Sequence, residues 1–401
     1  MWKPLVSVII PVYNGSNYLK EAIDSVLNQT YPDIEIIVVN DGSDDFGQTE
    51  EIALSYGQKV RYYYKENGGV STALNVGIRQ MKGRYFSWLS HDDVFYPEKI
   101  QKQVCLLEQE KTRVTACSYN IFYDSGRHIP VPVVDFYGIQ MLRKGAFGIL
   151  NSLLQFGGVL FKREIFDAYG VFREDLKTTQ DYEFLFRVLR KEKCAYSNEI
   201  LYGIRYHDNQ GSNTINCVDK ERDEMYQMFL QELSDDEKVY MYGSVYNFYY
   251  QMLLRLWPLP NISKSVKLCV SKLKTEKGSE DQQKTKSSDS VLIYGAGAYG
   301  RRLLFDLRCR GMKVAGFVDG NSNLWGNRID GMNCYSLEEV MTGKITGTII
   351  IASIFREEIA AVLKENGFSD FYFKEEWDRR MFGMAPGRGR IEEVIASYGE
   401  K

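Results

Sequence analysis

The chain has 401 residues, a length that predicts roughly two to three domains and not one core. Its 44% hydrophobic and 26% charged residues exclude a largely disordered chain, and its formal net charge of -3 lacks the basic excess that nucleic-acid binding needs. A nucleic-acid partner is therefore not expected. The 7 cysteines form no CxxC pair, which argues against a disulfide framework or a zinc knuckle and predicts a cytoplasmic protein.

The first 90 residues alternate short apolar runs with helical periodicity. Strands are predicted at 6–12, 34–39, 60–64 and 85–89, and helices near 18–27, 49–56 and 70–81. Such alternation predicts an α/β fold, with a parallel sheet and helices on its faces. The segment Ser90-His91-Asp92-Asp93 then follows the carboxyl end of a strand, where open α/β sheets bind their ligands.

Further along the chain the pattern changes three times. A helix is predicted at 97–110, short strands and turns at 115–134, a mixed pattern at 140–210 with a helix at 181–191, and an aromatic amphipathic helix from 218 to the break at 257–260. A polar stretch typical of a linker follows, and it contains Lys272, Lys274, Lys277, Lys284 and Lys286. A second series of strands and helices begins near residue 289.

Three acidic groups stand where loops are predicted: Asp41 after the second strand, Asp92-Asp93 after the fourth, and Asp181 at a helix start. One or two carboxylates can hold a divalent cation that offsets the charge of a diphosphate leaving group. Another carboxylate can take the proton of an attacking hydroxyl as a general base. Taken singly, Asp41 also fits a simple turn, and Asp92-Asp93 and Asp181 also fit helix caps.

Several motifs occur together in one order. They are VSVIIPVYNG from residue 6, LNQTYP from residue 27, EIIVVNDGS from residue 35 and NGGVS from residue 67. In this arrangement the chain resembles the family 2 glycosyltransferases of the GT-A type, over roughly residues 4–210. We therefore expect a GT-A glycosyltransferase domain at 1–220, a helical extension and linker at 221–288, and a smaller Rossmann-like α/β domain with a C-terminal tail at 289–401.

The resemblance implies a donor site, a metal site and a base. Asp181 corresponds to the catalytic base of an inverting transfer, and Asp92 corresponds to the principal ligand of Mn²⁺ or Mg²⁺, with Asp93 beside it. The donor-binding positions implied are Pro11, Tyr13, Asn14, Asp41, Gly69, Asn75 and Asp92. In two places the chain departs from the family, since Ser90 replaces the first acid of the metal loop and Leu74 replaces an arginine before Asn75.

The segment from Tyr202 to Ser212 resembles the part of such enzymes that closes over the donor phosphates. Arg205 and His207 are its candidate diphosphate contacts, and the alternative for both is an ordinary surface loop. Beyond the linker, Gly295, Gly297 and Gly300 follow an apolar strand, and Asp319 ends the next strand. That arrangement suits a phosphate at a helix N-terminus and a ribose at the acid, but tight packing alone also explains the glycines.

The resemblance implies a hexosyltransferase that moves a sugar from a nucleoside diphosphate, with UDP as the first choice, onto a saccharide or lipid-linked acceptor in polysaccharide or glycoconjugate synthesis. The alternative is a catalytically weakened regulatory or scaffold protein that only binds the nucleotide sugar, which Ser90 and Leu74 suggest. The aromatic helix at 222–262 fits a core or a homodimer interface, or else a helix that lies on a membrane surface. No apolar window reaches the ~20 residues of a membrane span, so we expect only peripheral membrane contact.

Overall fold

The computed structural model of the protein describes residues 4–208, 210, 215–257, 259, 261–276 and 290–398. Its contacts separate the chain into two compact units, Met1–Met225 and Tyr226–Lys401. Each unit is built around its own sheet. The predicted linker residues Lys277, Lys284 and Lys286 lie outside the described residues, and the predicted boundary near residue 289 therefore stays a prediction.

The first unit contains a nine-stranded sheet with the order β3-β2-β1-β4-β8-β6-β9-β5, and β7 pairs with β6 outside this path. Its strands are β1 (Val6–Val12), β2 (Ile34–Asn40), β3 (Val60–Tyr64), β4 (Tyr85–Trp88), β5 (Val94–Phe95), β6 (Val114–Phe122), β7 (His128–Val131), β8 (Val159–Lys162) and β9 (Cys194–Arg205). Strands β1, β2, β3 and β4 pair in parallel, as do β6 and β9. The predicted α/β class is confirmed.

Helices cover this sheet. They are α1 (Leu19–Leu27), α2 (Gln48–Ser55), α3 (Val70–Gln80), α4 (Lys99–Gln109), α5 (Val133–Tyr137), α6 (Ile139–Leu142), α7 (Phe147–Leu150), α8 (Glu164–Tyr169) and α9 (Gln180–Leu189), and α10 (Val218–Glu232) runs across the division between the units. Strand β1 is buried at every position, as expected for a parallel strand that has helices on both faces. The mainly apolar sequence of β1 therefore reflects its buried position in the sheet.

The structure differs from the sequence prediction at 115–134 and at 194–205. Strand β6 is one long strand of nine residues, and β9 has twelve residues where the sequence showed only a mixed pattern. The middle of β9 is exposed at Asn198, Glu199 and Ile200, and the pairing register with β6 shifts at Ser118. This irregularity interrupts the apolar alternation from which a strand is predicted.

The second unit has a six-stranded sheet with the order β12-β13-β11-β10-β14-β15. Its strands are β10 (Val291–Tyr294), β11 (Val314–Val318), β12 (Arg328–Ile329), β13 (Met332–Tyr335), β14 (Thr348–Ile351) and β15 (Phe371–Phe373). All pairs are parallel except β12 with β13, and the first strand in sequence, β10, lies between β11 and β14. This is the doubly wound order in which the connections reverse direction beside β10.

The helices of the second unit are α11 (Asp235–Tyr242), α12 (Val245–Leu256), α13 (Ser263–Thr275), α14 (Ala298–Cys309), α15 (Leu337–Met341), α16 (Arg356–Glu365), α17 (Lys374–Met381) and α18 (Arg388–Ser397). Lys272 and Lys274, which composition assigns to the linker, lie in α13. The lysine-rich composition was therefore a poor marker here, because a helix with a narrow buried face tolerates lysines on its exposed positions.

The aromatic residues of 222–262 are mainly core residues of the second unit. The buried ones are Tyr242, Tyr246, Phe248, Tyr249, Tyr250 and Trp257, whereas Tyr240 is 61% exposed. A membrane-surface helix must present its apolar face outward, and most of this face is already covered. Across the described ranges, no helix is long and apolar enough to cross a membrane.

Candidate functional site

The predicted site residues of the first unit come from loops at one edge of the sheet. Tyr13 and Asn14 follow β1, Asp41 follows β2, and Asp92 and Asp93 follow β4. Because these strands are parallel, their carboxyl ends meet at this edge. The end of β9 reaches the same loops, since the backbone N–H of Arg205 and the Tyr202 hydroxyl both donate to the Asp93 carboxylate.

Asp41 organises the turn that opens α3. Its side chain is buried and accepts hydrogen bonds from the backbone N–H groups of Gly68 (3.1 Å) and Gly69 (2.7 Å). It also forms an ion pair with Lys65, with 2.5 Å between Nζ and Oδ1. Gly69 has φ +95°, a value that glycine adopts without the strain that a Cβ would bring. Asp41 therefore shapes the turn, and most of the hydrogen-bonding capacity of its carboxylate is used within the protein.

Tyr13 and Asn14 form an exposed rim next to this turn. The side chain of Asn14 exchanges two hydrogen bonds with Asp44, at 2.5 and 2.9 Å, and its backbone N–H donates to Ser43 Oγ. Tyr13 is 45% exposed, so part of its side chain is accessible to a ligand. Pro11, in contrast, is a buried residue of β1 paired with Val39, which limits it to shaping the strand end.

Asp92 lies in direct contact with the end of β9. Its Oδ2 is 3.0 Å from Nε2 of His207, and its backbone carbonyl accepts from Nε of Arg205 at 3.1 Å. The Arg205 guanidinium also pairs with Glu21 and Asp124 and is stacked on two rings, those of Tyr18 and Phe122. Arg205 is buried and its charge is already neutralised. The structure thus favours Arg205 as a support for the Asp92 loop over a direct diphosphate contact.

Asp93 points away from a ligand position. Its carboxylate accepts from the Tyr202 hydroxyl and from the backbone N–H of Arg205, at 3.0 Å for the latter. Burial, with the neighbouring charge of Asp92, raises the pKa of Asp93 well above its ordinary value. A protonated or doubly hydrogen-bonded carboxyl is a poor metal ligand, since the ion needs free lone pairs. The geometry does not support Asp93 as a direct ligand.

Asp92 and His207 together fit part of a cation site. Carboxylate and imidazole are both ligands of divalent transition metals, and Mn²⁺ or Mg²⁺ fills its other positions with phosphate and water oxygens. Over the described ranges, no group of three or more His, Cys, Asp or Glu side chains is arranged to hold an ion. Asp92 and His207 are the two side chains that could contribute to such a site.

Asp181 begins α9 and is partly buried. The pKa of its carboxyl is raised to about 6, mainly by burial. The hydrogen bond that the backbone N–H of Tyr182 donates to Oδ1, at 2.8 Å, acts in the opposite direction and lowers the pKa. A carboxylate with a pKa near 6 is ionised at pH 7 and holds a proton more strongly than an exposed aspartate, as a general base must. The loop before it lies against the turn at Gly68, because Lys177 Nζ donates to the Gly68 carbonyl at 3.3 Å.

Asn75, expected to bind the donor, has a different position. It is buried in α3, and its amide exchanges hydrogen bonds with the backbone of Phe172 at 2.9 and 3.1 Å and donates to Glu174 at 2.9 Å. Leu74 beside it is also fully buried. Asn75 therefore holds the chain segment that leads to Asp181, and its link to the donor is indirect.

In the second unit, the glycine-rich turn is held by Asp319. Its carboxylate accepts from the backbone N–H groups of Ala296 (2.8 Å) and Asn321 (2.9 Å). A Cβ on Gly300 would lie 1.8 Å from the carbonyl oxygen of Gly295, so packing alone requires that glycine. A Cβ on Gly297 would meet nothing within 4 Å. Of the three glycines, Gly297 is therefore the one that packing does not require to be glycine.

Sequence reasoning missed one charged residue near the site, Glu221. Glu221 in α10 accepts hydrogen bonds from the backbone N–H groups of Lys177 and Thr178, directly before the helix that carries Asp181. Lys65, Arg79 and Arg84 are the sequence candidates for the positive charge lost at Leu74, and of these Lys65 pairs with Asp41. The spacing of 44 residues between Lys177 and Glu221 carries no local signal, so only the folded chain shows the first contact.

Comparison with known proteins agrees with this fold. The family described as Glycosyl transferase family 2 matches residues 7–170, and the family described as C2185-like, N-terminal matches residues 287–370. An uncharacterized glycosyltransferase of Rickettsia typhi is 44% identical over 250 residues, which cover 62% of this chain and 78% of that protein. The chain belongs to glycosyltransferase family 2.

Two further proteins define how far the likeness extends. An uncharacterized glycosyltransferase of Rickettsia felis is 45% identical over 248 residues, and the match spans 61% of this chain but only 41% of that relative. The crystal structure of S. aureus TarS 1-349 in complex with UDP-GlcNAc matches with a TM-score of 0.51 at 16% identity, over 67% of this chain and 81% of that one. At that identity the likeness shows the shared GT-A type fold.

Proposed function

We propose that the protein transfers a sugar from a nucleoside diphosphate donor, with a UDP-sugar as first choice, to an acceptor hydroxyl with inversion at the anomeric carbon. The proposal is supported by the pairing of Asp92 with His207 at the carboxyl edge of the sheet, and by the loop before Asp181, which lies against the Gly68 turn of that edge. Asp92 and His207 are suited to hold a cation, and Asp181 is suited to accept a proton. Inverting transfer by a single displacement needs both.

In this reaction, Asp181 accepts the proton of the acceptor hydroxyl while the hydroxyl oxygen bonds to the anomeric carbon. The bond between that carbon and the phosphate oxygen breaks, and the nucleoside diphosphate leaves with the electron pair. Asp92 and His207 would hold Mn²⁺ or Mg²⁺, which supplies charge neutralisation to the diphosphate. The Gly69 turn, Tyr13 and Asn14 provide the binding surface for the nucleoside.

The setting and partners follow from the family and stay part of the proposal. We assign a saccharide or lipid-linked acceptor, in polysaccharide or glycoconjugate synthesis, in the cytoplasm. The second unit would bind a nucleotide at the turn of Gly295 and Gly297, with Asp319 beside it, because parallel doubly wound sheets bind ligands where their strand order reverses. Tight packing of the turn by Gly300 is the competing explanation.

A donor screen tests the proposal. The full chain is incubated with UDP- and GDP-sugars in Mn²⁺, in Mg²⁺ and in EDTA, and released nucleoside diphosphate is measured with and without saccharide acceptors. Asp92→Asn should lower turnover by roughly a hundredfold or more, because charge stabilisation of the leaving group is lost. Asp33→Asn is the matched control, since Asp33 is exposed and precedes β2 at the opposite end of that strand.

The outcomes separate the two functions that the sequence left open. Turnover that requires a divalent ion and Asp92 supports a transferase. Calorimetric binding of UDP with metal, without turnover on any donor or acceptor, would instead favour the regulatory or scaffold protein. An Asp92→Asn chain with normal turnover would remove Asp92 from the mechanism.

A further inference from the structure

Glu221 makes an unusual set of contacts for a helix residue that is not fully exposed. Its carboxylate accepts from the backbone N–H of Lys177 at 2.9 and 3.1 Å, from the backbone N–H of Thr178 at 2.8 Å and from the Thr178 hydroxyl at 2.9 Å. Burial raises the pKa of Glu221, but these hydrogen bonds outweigh burial and the pKa is lowered overall. The carboxylate is therefore kept in its charged, accepting form.

These contacts fall just before Asp181, and a longer one comes from the Thr179 hydroxyl at 3.4 Å. Lys177 and Thr178 lie before the helix, outside its hydrogen-bond ladder, and a carboxylate is a strong acceptor for backbone N–H groups of this kind. Thr179, the residue that caps α9, makes no capping hydrogen bond with its own side chain. Glu221 therefore holds from α10 the two residues that directly precede the Thr179 cap of α9.

The same segment is held from the other side by α3. The Ser71 hydroxyl donates to the Leu176 carbonyl at 3.3 Å, Lys177 Nζ reaches the Gly68 carbonyl, and Asn75 holds Phe172. Two separate elements, α3 and α10, therefore fix the backbone on which Asp181 stands.

We propose that Glu221 is a positioning residue that sets the place of the base Asp181 for the transfer reaction. The inference rests on the proposed function. Glu221 contacts no reacting group in this arrangement, and its effect passes through the backbone of Lys177 and Thr178. A shift of about 1 Å in a catalytic group costs up to roughly a hundredfold in rate, although substrate binding need not change.

The experiment compares Glu221→Gln and Glu221→Ala with wild type in the full chain. The glutamine keeps the shape but loses the charge and one acceptor, and the alanine loses all the contacts. We expect kcat to fall by about tenfold in the first and up to about a hundredfold in the second, with KM for the nucleotide sugar within about twofold. Glu224→Gln, an exposed glutamate of the same helix, should behave as wild type.

Two further readouts distinguish positioning from a loss of stability. Hydrogen exchange of the peptide spanning 176–183 should become faster in Glu221→Ala, whereas exchange in β1 and β2 stays as in wild type. The acid limb of kcat should move to lower pH, because a looser Asp181 is better hydrated than one whose pKa burial raises to about 6. A variant with wild-type kcat, or an equal loss in KM and kcat with unchanged exchange at 176–183, overturns the proposal.

Failure of the proposed function would be visible separately. If wild type gives no turnover with any nucleotide sugar, transferase activity is refuted, and exchange at 176–183 alone then decides whether Glu221 orders the segment. Unchanged exchange in Glu221→Ala would reject the positioning role in that case too.

Discussion

Replacing Asp181 by Asn should remove activity and at the same time stabilise the protein at neutral pH. In the folded chain, burial raises the pKa of Asp181 from an ordinary value of 3.8 to about 6. Each pKa unit corresponds to about 1.4 kcal/mol, so ionising Asp181 in the folded state costs up to about 3 kcal/mol. Partial exposure makes this an upper limit, because water screens the charge. Asn has nearly the same shape and carries no charge, so it avoids the cost.

The sign of the effect depends on pH. Below about pH 4 the carboxyl is protonated in both the folded and the unfolded chain, and the two proteins should be equally stable. Between about pH 4 and 6 the folded chain binds more protons than the unfolded chain, so wild type loses stability as pH rises while Asp181→Asn does not. Above about pH 6 the difference in unfolding free energy between Asp181→Asn and wild type stays constant at its largest value.

The assay is thermal unfolding of the full chain at pH 4, 5, 6, 7 and 8. A gap of about 3 kcal/mol in a unit of this size raises the melting temperature by roughly 6 °C or more at pH 8, and the increase should vanish at pH 4. Turnover should be lost, while UDP binding persists. A gap that is the same at pH 4 and pH 8 would refute the burial argument, and an active Asp181→Asn chain would refute the role as base.

The remaining predictions concern packing and a buried charge. Gly300→Ala should destabilise the second unit by about 1–3 kcal/mol or more, because the added methyl group meets the Gly295 carbonyl, whereas Gly297→Ala should leave the melting temperature unchanged. Equal melting temperatures for the two variants would contradict this packing. Lys99 is fully buried, and burial lowers its pKa from 10.5 to about 8. Lys99→Met should therefore stabilise the protein below pH 8 by up to about 3 kcal/mol, and this gain should shrink as pH rises from 8 to 10.5 because the unfolded chain then binds more protons. Urea unfolding at pH 7 and pH 10 measures it, and a gain that does not fall with pH would show that the buried ammonium is not destabilising.

Local sequence patterns were sufficient for the elements at the centre of the first sheet. Mainly apolar runs, interrupted by Ser7 in β1 and by Glu35 and Asn40 in β2, mark these strands, because a parallel strand covered on both faces needs apolar residues at nearly every position. Glycines and acids just after such runs mark the carboxyl edge. The family resemblance rests on these same residues, and the chain belongs to that family.

Long-range contacts decided what each polar residue of the site does. Asp92 and Asp93 are neighbours of one residue type, yet one meets His207 and the other is enclosed by Tyr202 and Arg205, which lie 109 and 112 residues further along the chain. Asn75 carries the family position of a donor contact, but its amide faces the backbone of Phe172.

The sequence by itself therefore determined the class of fold, the edge of the sheet at which the candidate site residues lie and the identity of the acids there. Hydrophobic periodicity and turn chemistry are local properties, which a short stretch of chain records. Only the tertiary structure decided that Asp92 meets His207, that Asp93 is enclosed, and that Glu221 holds the residues that lead into the helix of Asp181. A hydrogen-bonding partner depends on where distant segments meet, and no local pattern contains that information.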